Sequence, residues 1–268
     1  MIREILNAAP LFLLLAVRAL ALIETAPLLS AEANPQVARI ALAGFAAYAA
    51  FPSTQAINTQ GIELFSFGFL LLLAGEAIIG IIMGFFITMI FAAFSTAGQF
   101  FSLPMGFSAA ETMDPLSQTE NPLMGQYLNL VAMMVFLSMN GFRELFLGGF
   151  WRSVQSINIA SLAAGRENVV SMFLTGLSRL FLDAMIISLP ILGTLFLCSL
   201  STGLISKAAP QINILTEGFP IAITVAFMLI LATMPFMVQA FSRVIDAGFA
   251  TLRDLYLEIG QRVMGGTV

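Results

Sequence analysis

The chain has 268 residues, of which 59% are hydrophobic and only 10% are charged, and its mean hydropathy is +0.96. A soluble domain has about 45–50% apolar and about 25% charged residues, so the composition excludes both a soluble domain and a disordered chain and indicates a membrane protein. The absence of histidine excludes imidazole catalysis and histidine-ligated metals, and the single cysteine, Cys198, excludes an internal disulfide. The net charge of −4 provides no basic patch for nucleic acid.

The first apolar stretch has some features of a signal peptide, with Arg3 before an apolar run and small residues after it. The run is longer than the 7–15 residues of a signal-peptide core, and it contains Arg18 and Glu24. We therefore interpret it as a retained helix.

The sequence predicts an all-α, polytopic membrane protein with a single domain over residues 1–268. With about 20 residues for each crossing, a chain of this length has room for about six segments, which we expect to be paired in hairpins. The apolar blocks are Pro10–Leu29, Val37–Phe51, Ile62–Phe101, Tyr127–Phe150, Val169–Ile205 and Ile212–Phe241. A mildly amphipathic piece, Ser242–Val268, follows them.

Two of these blocks are too long for one ordinary crossing. As a single helix, Ile62–Phe101 would measure about 60 Å, twice the roughly 30 Å of a bilayer core, and Val169–Ile205 is nearly as long. Each block either folds back as a hairpin or extends beyond the bilayer and packs on other protein. The first has no proline before Pro104, whereas Pro190 and Gly193 mark a natural kink in the second. Helices that overshoot a membrane predict partner subunits.

Charged residues inside the apolar blocks also favour assembly, because a charge at the centre of a lipid-exposed helix costs about 2.5–3.5 kcal/mol. Glu76 lies in the third block, and Arg179 and Asp183 lie in the fifth. The last two are one helical turn apart and can form an ion pair, with a proton relay as the alternative. For Glu76 the alternatives are a proton or cation site and a carboxylate satisfied by a neighbouring helix end or subunit.

A stripe of small residues accompanies Glu76. Gly80, Gly84 and Thr88 follow it at four-residue spacing, so all four lie on one helix face. The two glycines match the GxxxG pattern of closely packed membrane helices, although a chain with 21 glycines will contain such a match by chance. The stripe therefore predicts a close helix contact, with a chance occurrence of the pattern as the alternative.

The segment after the third block, about residues 99–122, is too polar to span a membrane and too apolar for a solvated loop. Met105, Phe107 and Met113 alternate with small residues, and Asp114-Pro115 marks a turn near its end. Flexible methionine and bulky phenylalanine on a small-residue backbone suit a deformable seal. The alternative is an ordinary interhelical loop.

A second polar segment, about residues 206–220, separates the last two blocks. Pro210 and Pro220 are predicted to stop the helices on either side of it, and Gln211, Asn213 and Glu217 lie between them. Because polar backbone at such a junction must be buried in protein or face water, we predict a tight hairpin supported by a partner.

In these segments the chain resembles the FliR family of flagellar export-gate membrane proteins, which is homologous to the SctT component of virulence type III secretion systems. The resemblance covers nearly the whole chain. The motifs that carry it, in the order of that family, are Gly75–Gly84, Ala97-Gly98, Met105-Gly106, Asp114-Pro115, Asn140-Gly141, Ala209–Asn213 and Gly218-Phe219-Pro220.

The resemblance implies a non-enzymatic subunit of the bacterial inner membrane at the flagellar basal body, with no cofactor or metal. Such proteins join P-type and Q-type subunits in a helical assembly at the start of a conduit for unfolded proteins, with their helices largely lifted out of the bilayer plane. A B-type protein wraps the base, and an A-type protein supplies the energy-coupling ring. The family's plug maps onto Pro104–Pro115.

The resemblance and the residue patterns together assign three sets of candidate residues. The plug or gating set is Met105, Gly106, Phe107, Met113, Asp114 and Pro115. The partner-facing hairpin set is Pro210, Gln211, Asn213, Gly218, Phe219 and Pro220. The helix-packing and buried-charge set is Glu76, Gly80, Gly84, Arg179 and Asp183.

The chain departs from the family pattern at two positions. Pro104 replaces a frequent glutamine and stiffens the start of the plug, and Phe142 replaces a frequent histidine, so no proton chemistry is assigned there. A virulence-type subunit, a scaffold without pore contact, and a secondary transporter using Glu76 and Arg179–Asp183 are the alternative functions. A transporter predicts inverted repeats, and none is visible in the sequence.

Overall fold

The computed structural model describes residues 2–30, 34–54, 66–106, 123–208 and 214–265. Within these residues every regular element is a helix, which confirms the all-α fold class. The elements are α1 (Ile2–Thr25), α2 (Gln36–Ala50), a 3-10 turn (Phe51–Thr54), α3 (Phe67–Met105), α4 (Leu123–Ser138), α5 (Gly141–Arg143), a π-helix (Glu144–Trp151), α6 (Arg152–Ser156), α7 (Ile159–Ala164), α8 (Arg166–Ala208) and α9 (Ile214–Gly265).

The two overlong blocks are single helices, so the hairpin alternative is wrong for both. α3 has 39 residues, and α8 has 43 and includes Pro190 without ending there. Among the described residues, three helical segments are long and apolar enough to cross a membrane, or four if α4 and the Gly141–Ser156 stretch form one broken span. These spans fit an all-α polytopic membrane protein.

The last part of the chain differs from its prediction in two ways. The sixth block and the amphipathic piece after it form one helix of 52 residues, α9, and Pro220 lies inside that helix rather than stopping it. Membrane helices tolerate proline because neighbouring groups satisfy the freed carbonyl. Since α8 continues to Ala208 and α9 begins at Ile214, the predicted loop over residues 206–220 is wrong at both ends.

Residue contacts divide the chain into two compact units. The first unit comprises Met1–Met89, Asn140–Gly176 and Asp246–Val268, and the second comprises Ile90–Met139 and Leu177–Ile245. Each boundary between them falls in or beside a long helix, so both units are built from parts of α3, α8 and α9. The assignment of residues 1–268 to a single domain stays a prediction.

Each unit has its own apolar core. In the first unit, α1 and α3 bury Leu22, Ile23, Ile79, Met83 and Ile87 almost completely. In the second, the core is aromatic. Its fully buried side chains include Phe94, Phe101, Phe136 and Phe241.

Candidate functional site

A buried arginine organises the polar interior of the first unit. Arg18 lies on α1 with only 3% of its side chain exposed, and its Nε donates to Oε2 of Glu76 on α3 at 2.5 Å. Its Nη1 donates to Ser153 Oγ at 3.3 Å, and its Nη2 donates to the carbonyl of Ile157 at 3.0 Å. One guanidinium therefore joins three separate stretches of the chain. We call Arg18, Glu76, Ser153 and Ile157 the Arg18 cluster.

The Arg18 cluster has further polar groups close by. Ser153 Oγ donates to the carbonyl of Phe150 at 2.7 Å, so its lone pairs remain available to Arg18. Tyr256 on α9 is 2% exposed, interacts electrostatically with Arg18, and its hydroxyl makes no hydrogen bond to the described residues. Buried polar groups are costly unless paired, so this cluster is the most constrained polar region of the unit.

The predicted small-residue stripe of α3 faces α1. A Cβ atom on Gly80 would lie 2.7 Å from Cβ of Ala21 and closer still to the Arg18 carbonyl. A Cβ atom on Gly84 would lie 3.0 Å from the Leu22 carbonyl and overlap the Thr25 side chain. Only glycine allows the two backbones to approach this closely.

Thr88 completes the same face one turn further along α3. Its Oγ1 lies 2.7 Å from the Thr25 carbonyl and 2.9 Å from the Gly84 carbonyl. The stripe from Glu76 to Thr88 is therefore a contact surface with an ion pair at one end and a hydrogen bond at the other.

The other predicted charge pair, Arg179 with Asp183, makes no salt bridge among the described residues. Arg179 is exposed and Asp183 is half-buried on α8. In the part of the chain that the structure describes, the ion pairs are Arg18–Glu76 and Arg39–Glu24, the latter at 2.7 Å.

The end of α3 differs from the predicted plug loop. Residues 99–105 are helical, so the loop cannot begin at residue 99, and Met105 is fully buried as the last residue of the helix. Gly106 follows with φ 86°, a left-handed conformation that ends helices and favours glycine. Four other members of the plug set lie outside the described residues, namely Phe107, Met113, Asp114 and Pro115.

Close packing holds the base of this segment within the second unit. A Cβ atom on Gly98 would lie 2.5 Å from the backbone nitrogen of Gly125, at the start of α4. Phe101 and Met105, one and two turns further along α3, are fully buried. The helices before and after residues 107–122 are thus in direct contact.

The predicted hairpin set is only partly described. Gly218 is half-buried and Pro220 is exposed, and both lie on α9 together with the backbone of Phe219. The remaining members, Pro210, Gln211 and Asn213, lie outside the described residues.

Sequence reasoning missed one backbone feature. Asn140 has φ 57° and separates α4 from the helix that follows, and Glu144–Trp151 is π-helical. The only sequence signals are Asn140-Gly141 and Gly148-Gly149. π-Helical turns are rare and occur often at functional sites.

Comparison of the sequence with known proteins identifies its family. The profile of the family "Bacterial export proteins, family 1" matches residues 9–248. The flagellar biosynthetic protein FliR of Bacillus subtilis (strain 168) is 30% identical over 259 residues, covering 96% of this chain and 98% of the relative. FliR of Escherichia coli (strain K12) is 32% identical over 246 residues, covering 90% and 91%.

A relative from another system is also similar. The Yop proteins translocation protein T of Yersinia pestis is 29% identical over 174 residues, which cover 65% of this chain and 66% of the relative. The resemblance drawn from the motifs is confirmed, and the chain belongs to family 1 of the bacterial export proteins, together with the FliR proteins.

Proposed function

We propose that this chain is a non-enzymatic core subunit of a flagellar type III protein export gate, where it helps to form and seal the conduit for unfolded flagellar proteins. The observation that carries the proposal is its similarity to FliR of Bacillus subtilis over 96% of this chain and 98% of the relative. The match to the Yersinia protein covers 65% of this chain, so it favours the virulence alternative less. The proposed location is the bacterial inner membrane at the flagellar basal body.

The proposed seal follows Gly106. Met105 and Phe101 are buried and Gly98 touches the start of α4, so the base of the segment is firmly held in the second unit. Phe107 and Met113 supply bulky, deformable side chains to the plug, and Asp114-Pro115 forms the turn near its end. Gly106 is the point at which the backbone leaves the helix.

The proposed partners are P-type and Q-type gate subunits, with a B-type protein around the base and an A-type protein as the energy-coupling component. Exposed apolar side chains of α8 run from Val170 to Leu204. This stretch measures about 50 Å at 1.5 Å per residue, and a bilayer core covers only about 30 Å of it. The remainder requires protein partners, and the Pro210–Pro220 region is proposed to face one of them.

Co-expression of this chain with the neighbouring P-type and Q-type genes, followed by native mass determination in mild detergent, tests the assignment. We expect a stable hetero-oligomer that contains this chain. A monodisperse assembly of this chain alone would contradict the proposal and favour a transporter, for which Glu76, Arg179 and Asp183 would be the residues to test.

The seal has a separate test in the same complex. Deletion of residues 107–115 should allow small ions to leak across vesicles that contain the complex, whereas Phe196→Leu, at a 62% exposed position of α8, should not. If the complex that lacks residues 107–115 leaked no more than the intact complex, this result would contradict a plug role and favour a scaffold.

A further inference from the structure

The π-helix Glu144–Trp151 of the first unit follows a left-handed residue and ends at a π-type hydrogen bond. At its start, Asn140 has a left-handed backbone, and its carbonyl accepts from the N–H of Arg143 at 2.8 Å. At its end, the N–H of Arg152 is shared between the carbonyl of Gly149 and that of Leu147, five residues earlier, and the second bond is the π-helical pattern.

π-Helices are rare and occur mostly as single-turn bulges inside α-helices, whereas this one extends over eight residues. Packing around the glycines does not explain it, because a Cβ atom on Gly149 would meet no atom closer than 4.0 Å and one on Gly148 would meet only the Glu144 side chain. The segment therefore needs a contact elsewhere that favours its register.

The Arg18 cluster provides that contact. Arg18 Nη1 binds Ser153 Oγ and Nη2 binds the Ile157 carbonyl, which are the second residue of α6 and its C-cap. The planar guanidinium has donors at fixed angles, and Glu76 holds its third donor. The rotation of α6 about its own axis is therefore fixed relative to α1 and α3.

A change from π to α geometry is incompatible with these bonds. Such a change would shift the backbone hydrogen-bonding register by at least one residue. The side chains after Trp151 would then rotate by about 100° around the helix axis. Ser153 would then leave the guanidinium. The Arg18 contacts and an α-helical Glu144–Trp151 exclude each other.

We propose that Arg18 is a positioning residue that holds Glu144–Trp151 in the π register through its contacts with Ser153 and Ile157. The inference concerns the fold of the first unit and does not depend on the proposed export function.

Cysteine labelling of the full chain, purified in mild detergent with its associated subunits, tests the inference. Gln155 is exposed and Val154 is buried on α6, so in a Cys198→Ser background a maleimide should label Gln155→Cys several-fold faster than Val154→Cys. Arg18→Lys keeps the charge opposite Glu76 but loses the fork to Ser153 and Ile157. We expect this variant to reduce or reverse the ratio of the two labelling rates.

The Arg39–Glu24 ion pair, which also involves α1, supplies the matched control. Arg39→Lys should leave the labelling ratio unchanged. An unchanged ratio in Arg18→Lys would overturn the inference and reduce Arg18 to an ordinary buried ion pair.

Deletion of Gly149 gives an independent measurement. It removes the surplus residue that an i→i+5 turn accommodates, so we expect Arg18→Lys to have no effect on the ratio in this background. A shift as large as that in the undeleted chain would show that the π segment is not the element that changes, and would also overturn the inference.

Discussion

The two halves of α3 are held by different kinds of contact. In the first unit, aromatic contacts of Phe85 and Phe86 with Phe173 are joined by directional ones. Glu76 accepts from Arg18, and Thr88 donates to the Thr25 carbonyl. In the second unit its partners are aromatic rings. Phe94 lies 4.5 Å from Phe241 and Phe91 lies 5.5 Å from Phe136, measured between ring centroids, at interplanar angles of 51° and 73°.

This difference indicates different tolerances to change. A hydrogen bond weakens steeply when its angle departs from linearity, so contacts of the first kind specify one register. Aromatic pairs prefer edge-to-face or offset geometries, and Gly98 lies against the backbone at the start of α4. Contacts of the second kind therefore act through shape and packing rather than through hydrogen bonds. The half of α3 that leads to the proposed seal belongs to the second kind.

The largest expected effect comes from removing one member of the ion pair. Glu76→Leu leaves Arg18 buried and uncompensated, and we expect a loss of about 3–5 kcal/mol in the free energy of unfolding. The double variant Arg18→Met with Glu76→Leu should recover most of this loss, because a well-packed apolar pair is often as stable as a buried ion pair. Thermal unfolding of the complex in mild detergent measures both.

Glu24 provides the control for this prediction. It is 41% exposed, and Glu24→Gln should change the stability by less than about 1 kcal/mol. If Glu76→Leu were as mild as Glu24→Gln, the first unit would not depend on directional contacts and the contrast between the two halves would fail.

The next largest effects are expected for two glycine substitutions, one in each half of α3. Gly84→Ala would overlap the Thr25 side chain, and Gly98→Ala would overlap the backbone at Met124 and Gly125. Overpacking of this kind costs about 1–3 kcal/mol, and Gly98→Ala should be the worse of the two because backbone cannot rotate away. The melting temperature of each variant measures the cost.

A glycine with free space around it is the matched control. Gly193 on α8 has no atom within 4 Å of an added Cβ. Gly193→Ala should therefore stabilise by up to about 1 kcal/mol through its helix propensity. Equal effects at Gly84 and Gly193 would mean that α1 and α3 are not in close contact.

Local spacing was sufficient to find the α3 stripe, because its residues repeat every four positions on one helix. It was not sufficient to find Arg18, whose partner is 58 positions away and whose apolar neighbours give no periodic signal. The error at Pro220 has a physical cause as well. The rule that proline stops a helix holds in water, whereas a membrane helix has few alternatives for its backbone groups.

The long helices and the site differ in how well the sequence predicts them. Composition and block length predicted the bounds of α3 and α8 closely, since no polar break interrupts either block. The π-helix was missed because the residue proposed to support it, Arg18, is distant in sequence and contacts the following helix at Ser153. The roles of Phe107 and Met113 stay predictions.

A smaller effect is expected in the aromatic core. Phe94→Leu exchanges one large apolar side chain for another in a ring cluster without hydrogen bonds, and we expect a loss of at most about 1.5 kcal/mol. Thermal unfolding should show this loss, with Phe196→Leu unchanged as the exposed control. A loss as large as that of Glu76→Leu would show that the second unit also requires one specific arrangement.

The smallest predicted effect is at Thr88. Thr25 is the last residue of α1, where backbone carbonyls lack a partner in their own helix, and the Thr88 hydroxyl supplies one at 2.7 Å. Thr88→Val keeps the shape and removes this bond, so we expect a loss of about 0.5–1 kcal/mol. Thr88→Ser should retain the bond, and Thr224→Val should have no effect, because that exposed hydroxyl contacts only its own helix at Pro220. If Thr88→Val melted at the same temperature as the unmodified chain, the contact of α3 with α1 would depend on the Arg18–Glu76 pair and on the close packing at Gly80 and Gly84, and the hydrogen bond at its far end would add nothing to stability.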